Sequence, residues 1–154
     1  MPWVIFAAAI WLIILIFLRA SLGRYWSAGL WALLAGYLLN DFLIRHGCYS
    51  FKEILYPIQA IPAAYLLGFA GFGIIVVFFL PAGKAWQLPY LILLSVFFAG
   101  IELFAKNQGY LIFIHWTLYD SILYRLFTFI AITWLSNLTI KQRKSGYFMN
   151  RGVY

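Results

Sequence analysis

The sequence predicts an all-α fold, a polytopic transmembrane helical bundle of five spans forming a single integral membrane domain over residues 1–154. Three observations predict it. The chain is 66% hydrophobic and only 10% charged, with a mean hydropathy of +0.92, far from the make-up of a soluble domain. Its length divides into five apolar runs joined by short links, and about 20 apolar residues are what a hydrocarbon core requires of a helix. Lys and Arg fall almost wholly in the links and the C-terminal tail, so the net charge of +7 reads as a topology signal and lipid headgroup contact. No nucleic acid partner is expected.

The first span, residues 2–18, has no basic residue ahead of it and no small-residue cleavage site. It reads as a retained anchor rather than a signal peptide. In the second, residues 27–44, Ala28, Ala32 and Gly36 repeat every four residues and offer a neighbouring helix a close approach. The segment 45–61 is too polar at its start to span. There Ser50 and Glu53 fit a capping box, predicting a short interfacial helix near residues 51–56 with Phe51, Ile54 and Leu55 as its buried side. Gly68, Gly71 and Gly73 mark the third span, residues 62–80, as tightly packed. The fourth, residues 88–105, is interrupted only by Glu102 and stopped by Gly109. Residues 110–116 are apolar and either lengthen the last helix into a tilted one or lie as a lid on the surface. The fifth span is residues 117–137, and the basic tail beyond it is expected at the interface.

That last span carries Asp120 and Arg125 inside its own apolar run. A charge at the centre of a spanning helix costs roughly 2.5–3.5 kcal/mol on insertion scales, so it must face protein, water or a partner charge. At 100° per residue Asp120, Tyr124, Thr117, Thr128, Ser121 and Arg125 share one arc of about 140°, with Thr133 on the other side. Five spans with the amino terminus outside put seven basic residues in cytoplasmic segments (19, 24, 84, 141, 143, 144 and 151) against three outside (45, 52 and 106). The carboxyl terminus is therefore placed in the cytoplasm of a cell-membrane protein. In either orientation, five spans bring Asp41, Glu102 and Asp120 to the same face of the membrane.

The carboxylates also have local explanations. Asp41 precedes Arg45 and Glu102 precedes Lys106 by four residues, the favourable order for a helical ion pair, while Asp120 can cap its helix at Thr117. Arg125 has no such local partner, since Asp120 is five residues away, so its guanidinium is expected to fork onto Glu102 and share Asp120. Either this is a buried structural pair or it is a site, with Glu102 and Asp120 as candidate acid and base. Arg125, Asp41, Asn40, Tyr124, Ser121, His115 and Tyr37 are its candidate ligand-binding residues. Trp3, Trp26, Trp86 and Trp116 lie near span ends as an aromatic belt would. Cys48 is the only cysteine and His46 and His115 are isolated, so no disulfide, metal site or other cofactor is predicted.

Glu102, Gly109 with Tyr110, Trp116, and Ser121 with Tyr124 together resemble small multi-pass membrane proteins of uncharacterised function from spore-forming bacteria. The resemblance covers mainly residues 99–142 and implies a bacterial membrane protein; with no activity established for those proteins, it implies no reaction. The residues themselves leave four functions open. One is a lipid-handling protein whose outer-face pocket takes an amphipathic ligand with a charged end. Another is a membrane-embedded acid–base enzyme such as an isoprenoid cyclase, with aromatic walls around a cationic intermediate. The others are a small homo-oligomeric, proton-coupled transporter and a non-catalytic subunit of a larger membrane complex.

Overall fold

Helix α1 (Pro2–Ile13) continues through a π-helical stretch, Ile14–Leu18, and a 3-10 turn, Arg19–Ser21, into α2 (Leu22–Arg45). This is seen in a computed structural model that describes residues 2–52 and 57–149, with side chains as far as residue 140. The backbone leaves helical geometry at Leu18 (φ −114°, ψ 3°), and the chain reverses there. Contacts with α3 (Ala63–Phe78) show the reversal. Along α1, Trp3 meets Tyr65 and Ile10 meets the backbone at Gly71, whereas along α2 the order inverts, Gly29 facing Ile74 and Asn40 reaching Tyr65. Helices α4 (Lys84–Asn107) and α5 (Leu118–Met149) continue the alternation. Tyr90 near the start of α4 bonds the Val76 carbonyl, and Glu102 near its end bonds Arg125 near the start of α5.

The fold is all-α in the main, as expected, but helix length does not yield five spans. Among the described residues three helical stretches are long and apolar enough to cross a membrane: Pro2–Arg45, Lys84–Asn107 and Leu118–Ile140. Two physical reasons reduce the number. The first two expected spans form one run of helix whose bend keeps helical hydrogen bonding, and α3, at 16 residues, is only about 24 Å long against a core of about 30 Å. The last helix is longer than expected, 32 residues, and no proline follows residue 137 to stop it.

The links form a cap. Helices α2 and α4 end alike, each in a glycine with left-handed backbone, Gly47 (φ 68°) and Gly109 (φ 74°). At each end the next N–H closes back on the helix, Cys48 to Leu43 and Tyr110 to Ala105, as in a Schellman motif. The chains leaving these stops pair as antiparallel strands β1 (Tyr49–Phe51) and, after α4, the last strand of the chain, Leu111–Phe113. This corrects the expected helix near residues 51–56 at its first residue, since Phe51 is in a strand. Residues 53–56, with Glu53 of the capping box, lie outside the described residues. Residues 111–113, neither a continuation of α5 nor a loose lid, close one end of the bundle. A two-residue turn carrying Gln59 (φ 56°) joins β2 (Pro57–Ile58) to β3 (Ile61–Pro62), so the strand Leu111–Phe113 is β4. Strand alternation sends Tyr49, Phe51 and Leu111 inward and leaves Ile112 exposed.

Away from the cap, helices touch through small residues. A Cβ on Gly36 would lie 2.6 Å from the Phe69 ring, and one on Gly73 would collide with the Cβ of Ala32 and stand 3.1 Å from the Ala28 carbonyl. Gly73 of α3 thus meets the small-residue repeat of α2, while Gly68 and Gly71 face Phe6, Ala7 and Ile10 of α1. In a bilayer, where lipid is as apolar as leucine, such close van der Waals packing is a main source of helix association.

Candidate functional site

Directly beneath the cap, the ion pair expected from the sequence is formed. Arg125 is 1% exposed and Glu102 6%. Arg125 Nε donates to Glu102 Oε1 at 2.8 Å, Nη2 makes a second, shorter contact to the same oxygen, and Nη2 also donates to the Tyr65 hydroxyl at 2.5 Å. Rings surround the cation, its Cζ lying 4.5 Å from the centre of Phe98, 4.6 Å from Tyr124 and 5.1 Å from Phe69. Their π faces add to the Glu102 carboxylate in balancing the charge away from water.

The network runs on through α2 and into the cap. Tyr65 donates to Asn40 Oδ1 at 3.5 Å, Tyr49 of β1 donates to the same oxygen, and the Asn40 amide donates to the Gly36 carbonyl in the previous turn. Burial pushes the Tyr49 phenol well up from its ordinary pKa, with the neighbouring Tyr124 adding to it, so Tyr49 remains a neutral donor. Guanidinium, carboxylate, two phenols and an amide thus tie α2, β1, α3, α4 and α5 at one level.

Between the network and the strands lies a small cavity. Trp3, Phe51, Phe113 and Trp116 wall it, and their rings fill so much of it that about one water-sized group fits inside. Three of its lining side chains carry a buried polar atom with no partner among the described residues: Trp3 Nε1, Tyr124 Oη and Arg125 Nη1. Two are obligate donors and the third can donate. These three groups stand in the walls of the cavity without a hydrogen bond, and Glu102 holds Arg125 through Oε1.

Of the residues chosen from sequence, Glu102, Arg125 and Tyr124 line this cavity and Asn40 lies behind it. Ser121 is buried and accepts from Trp116 Nε1 at 2.7 Å, holding that wall in place. Asp120 does not join the cluster. The Thr117 backbone N–H and hydroxyl donate to its carboxylate at 2.8 and 2.6 Å, and its own N–H returns toward the Thr117 hydroxyl, which is its local capping role. Asp41 likewise pairs with Arg45 at 2.9 Å on the surface of α2, His115 is exposed, and Tyr37 packs half-buried against the core away from the cavity.

Sequence reasoning missed Tyr65 and Tyr49 and set Trp3 and Trp116 in a lipid-facing belt. A tyrosine one turn inside an otherwise apolar helix is a signal for Tyr65. Nothing local marks Tyr49, which reaches the site only because β1 pairs with β4. Compared with protein-family models, curated proteins and solved structures, the chain matches none of them.

Proposed function

We propose that this is a five-pass membrane protein whose capped cavity binds the polar end of a lipid or other amphipathic molecule near the outer face. The observation that carries this reading is the set of three unpartnered buried donors around one aromatic-walled space. Leaving such groups unbonded costs about 1–3 kcal/mol each, which a bound acceptor recovers. Five passes follow if the bend at residues 18–21 sits at a membrane surface and Pro62, Phe79 and Leu80 extend the short α3. The excess of basic residues on the side away from the cap then sets the amino terminus outside and the carboxyl terminus in the cytoplasm.

An acid–base enzyme built on Glu102 and Asp120 finds less support, since the two carboxylates are engaged by different partners. A second reading has a specific observation in its favour. The ion pair is complete and the cavity is tight, which suits a polar core that fixes helix register and holds one buried water.

Native mass spectrometry of protein purified in mild detergent, with extraction and identification of bound lipid, separates the two. Ligand binding predicts a defined amphiphile on the wild type that Tyr124→Phe and Trp3→Phe lose while remaining folded. Protein free of any retained amphiphile, with both variants unaltered, would leave the register lock standing alone.

A further inference from the structure

We infer that the polar end accepted by this cavity is an uncharged oxygen acceptor, a carbonyl or hydroxyl terminating an apolar chain, and not a carboxylate or a phosphate. The inference rests on the ligand-binding reading and deepens it. Two independent features of the site carry it.

The first is charge balance. Arg125 is matched by Glu102 on the same wall, so the pair is neutral as it stands. An entering anion would leave one net negative charge among the rings of Trp3, Phe51, Phe113 and Trp116, with no second cation lining the cavity among the described residues. Burying an uncompensated charge is strongly unfavourable, whereas a neutral oxygen brings only lone pairs. Those lone pairs are what Trp3 Nε1, Arg125 Nη1 and the Tyr124 hydroxyl lack.

The second is size. Room for about one water-sized group takes a single carbonyl or hydroxyl oxygen, and the remaining chain must lie outside the cavity. A carboxylate brings two oxygens and a phosphate more, which the cap would have to move aside to admit. The charged end that the isolated Arg125 suggests in the sequence is thus already supplied by the protein, as Glu102.

The test uses four decyl amphiphiles that differ only at one end: the methyl ketone, the alcohol, the carboxylate and the phosphate ester. Each is titrated into the full-length protein in lipid nanodiscs, and stoichiometry and affinity are read by native mass spectrometry. The ketone and the alcohol are expected to bind once per chain, at least about tenfold tighter than either anion. Tyr124→Phe keeps the ring, Trp3→Phe keeps a smaller aromatic wall without the indole N–H, and neither alters the Arg125–Glu102 pair. Each should weaken ketone binding about three- to tenfold, the worth of one hydrogen bond. Tighter binding of the carboxylate or phosphate, sensitive to the same two substitutions, overturns the uncharged end and leaves the pocket intact. Failure of all four to saturate, or binding indifferent to both substitutions, overturns the pocket itself.

Discussion

The two ends of this helical bundle are held together by different physics. At the end away from the cap, α2 and α3 approach closely, Gly73 against Ala32 and the Ala28 carbonyl and Gly29 against Ile74 and the Ala70 carbonyl. Under the cap the same helices are spread by Tyr65, Phe69 and their ring neighbours, and a polar network bridges the gap. Close packing holds that end, with no side-chain hydrogen bond between α2 and α3 there among the described residues. The capped end gains directionality from its bonds, and rigid rings around a fixed guanidinium cannot satisfy every donor. The donors left over at the capped end and its small cavity have one origin.

Breaking the polar end should cost most. Arg125→Ala strands the buried Glu102 and is expected to destabilise the protein by about 3–5 kcal/mol in unfolding titrations in mixed micelles. Adding Glu102→Gln should recover part of that loss; equal or greater damage in the double variant would refute the pair as the source of the cost. Breaking the close-packed end comes next. Gly73→Leu meets Ala32 and the Ala28 carbonyl and should cost about 1–3 kcal/mol, whereas Gly100→Leu, with open space around it, should be tolerated. Similar losses at both glycines would mean that the packing contrast is wrong.

The link between cap and network is weaker. Tyr49→Phe removes one hydrogen bond to Asn40 while keeping the ring, an expected loss of about 0.5–1.5 kcal/mol, with faster amide exchange in β1 and β4. Unchanged exchange would show that strand pairing alone holds the cap. The smallest effect belongs to the surface. Asp41→Asn should change stability by about 0–1 kcal/mol because its pair with Arg45 is open to solvent, and a larger loss would give that residue a role outside the local ion pair.

How far the site could be read in advance follows the same division. Arg125 announced itself because it lacked a local partner, and Glu102 was the acid that an adjacent helix could offer. Asp120 and Asp41 had good local partners at three and four residues and took them. Local explanations therefore deserved more weight wherever a bond within one turn was available. The cap could not be read at all. Tyr49–Phe51 and Leu111–Phe113 are too short to show a period, and their pairing is decided by two helices ending at one level, each in a left-handed glycine. Of those two stops Gly109 was legible, since it closes a long apolar run, while Gly47 sits in a polar link where a glycine has many uses.

The sequence by itself determined the apolar helical character of the chain, a small-residue face on α2 open to a neighbouring helix and the need for Arg125 to find an acid, because composition, four-residue spacing and the cost of an unpaired buried charge act within a helix or between neighbours in sequence. Only the tertiary structure decided that the first two expected spans are one bent run, that Asp120 is excluded and that Tyr65, Phe69 and Phe98 surround the guanidinium. Each of these depends on residues far apart in the chain arriving at one height in the bundle, a matter of helix length and direction that no local pattern encodes.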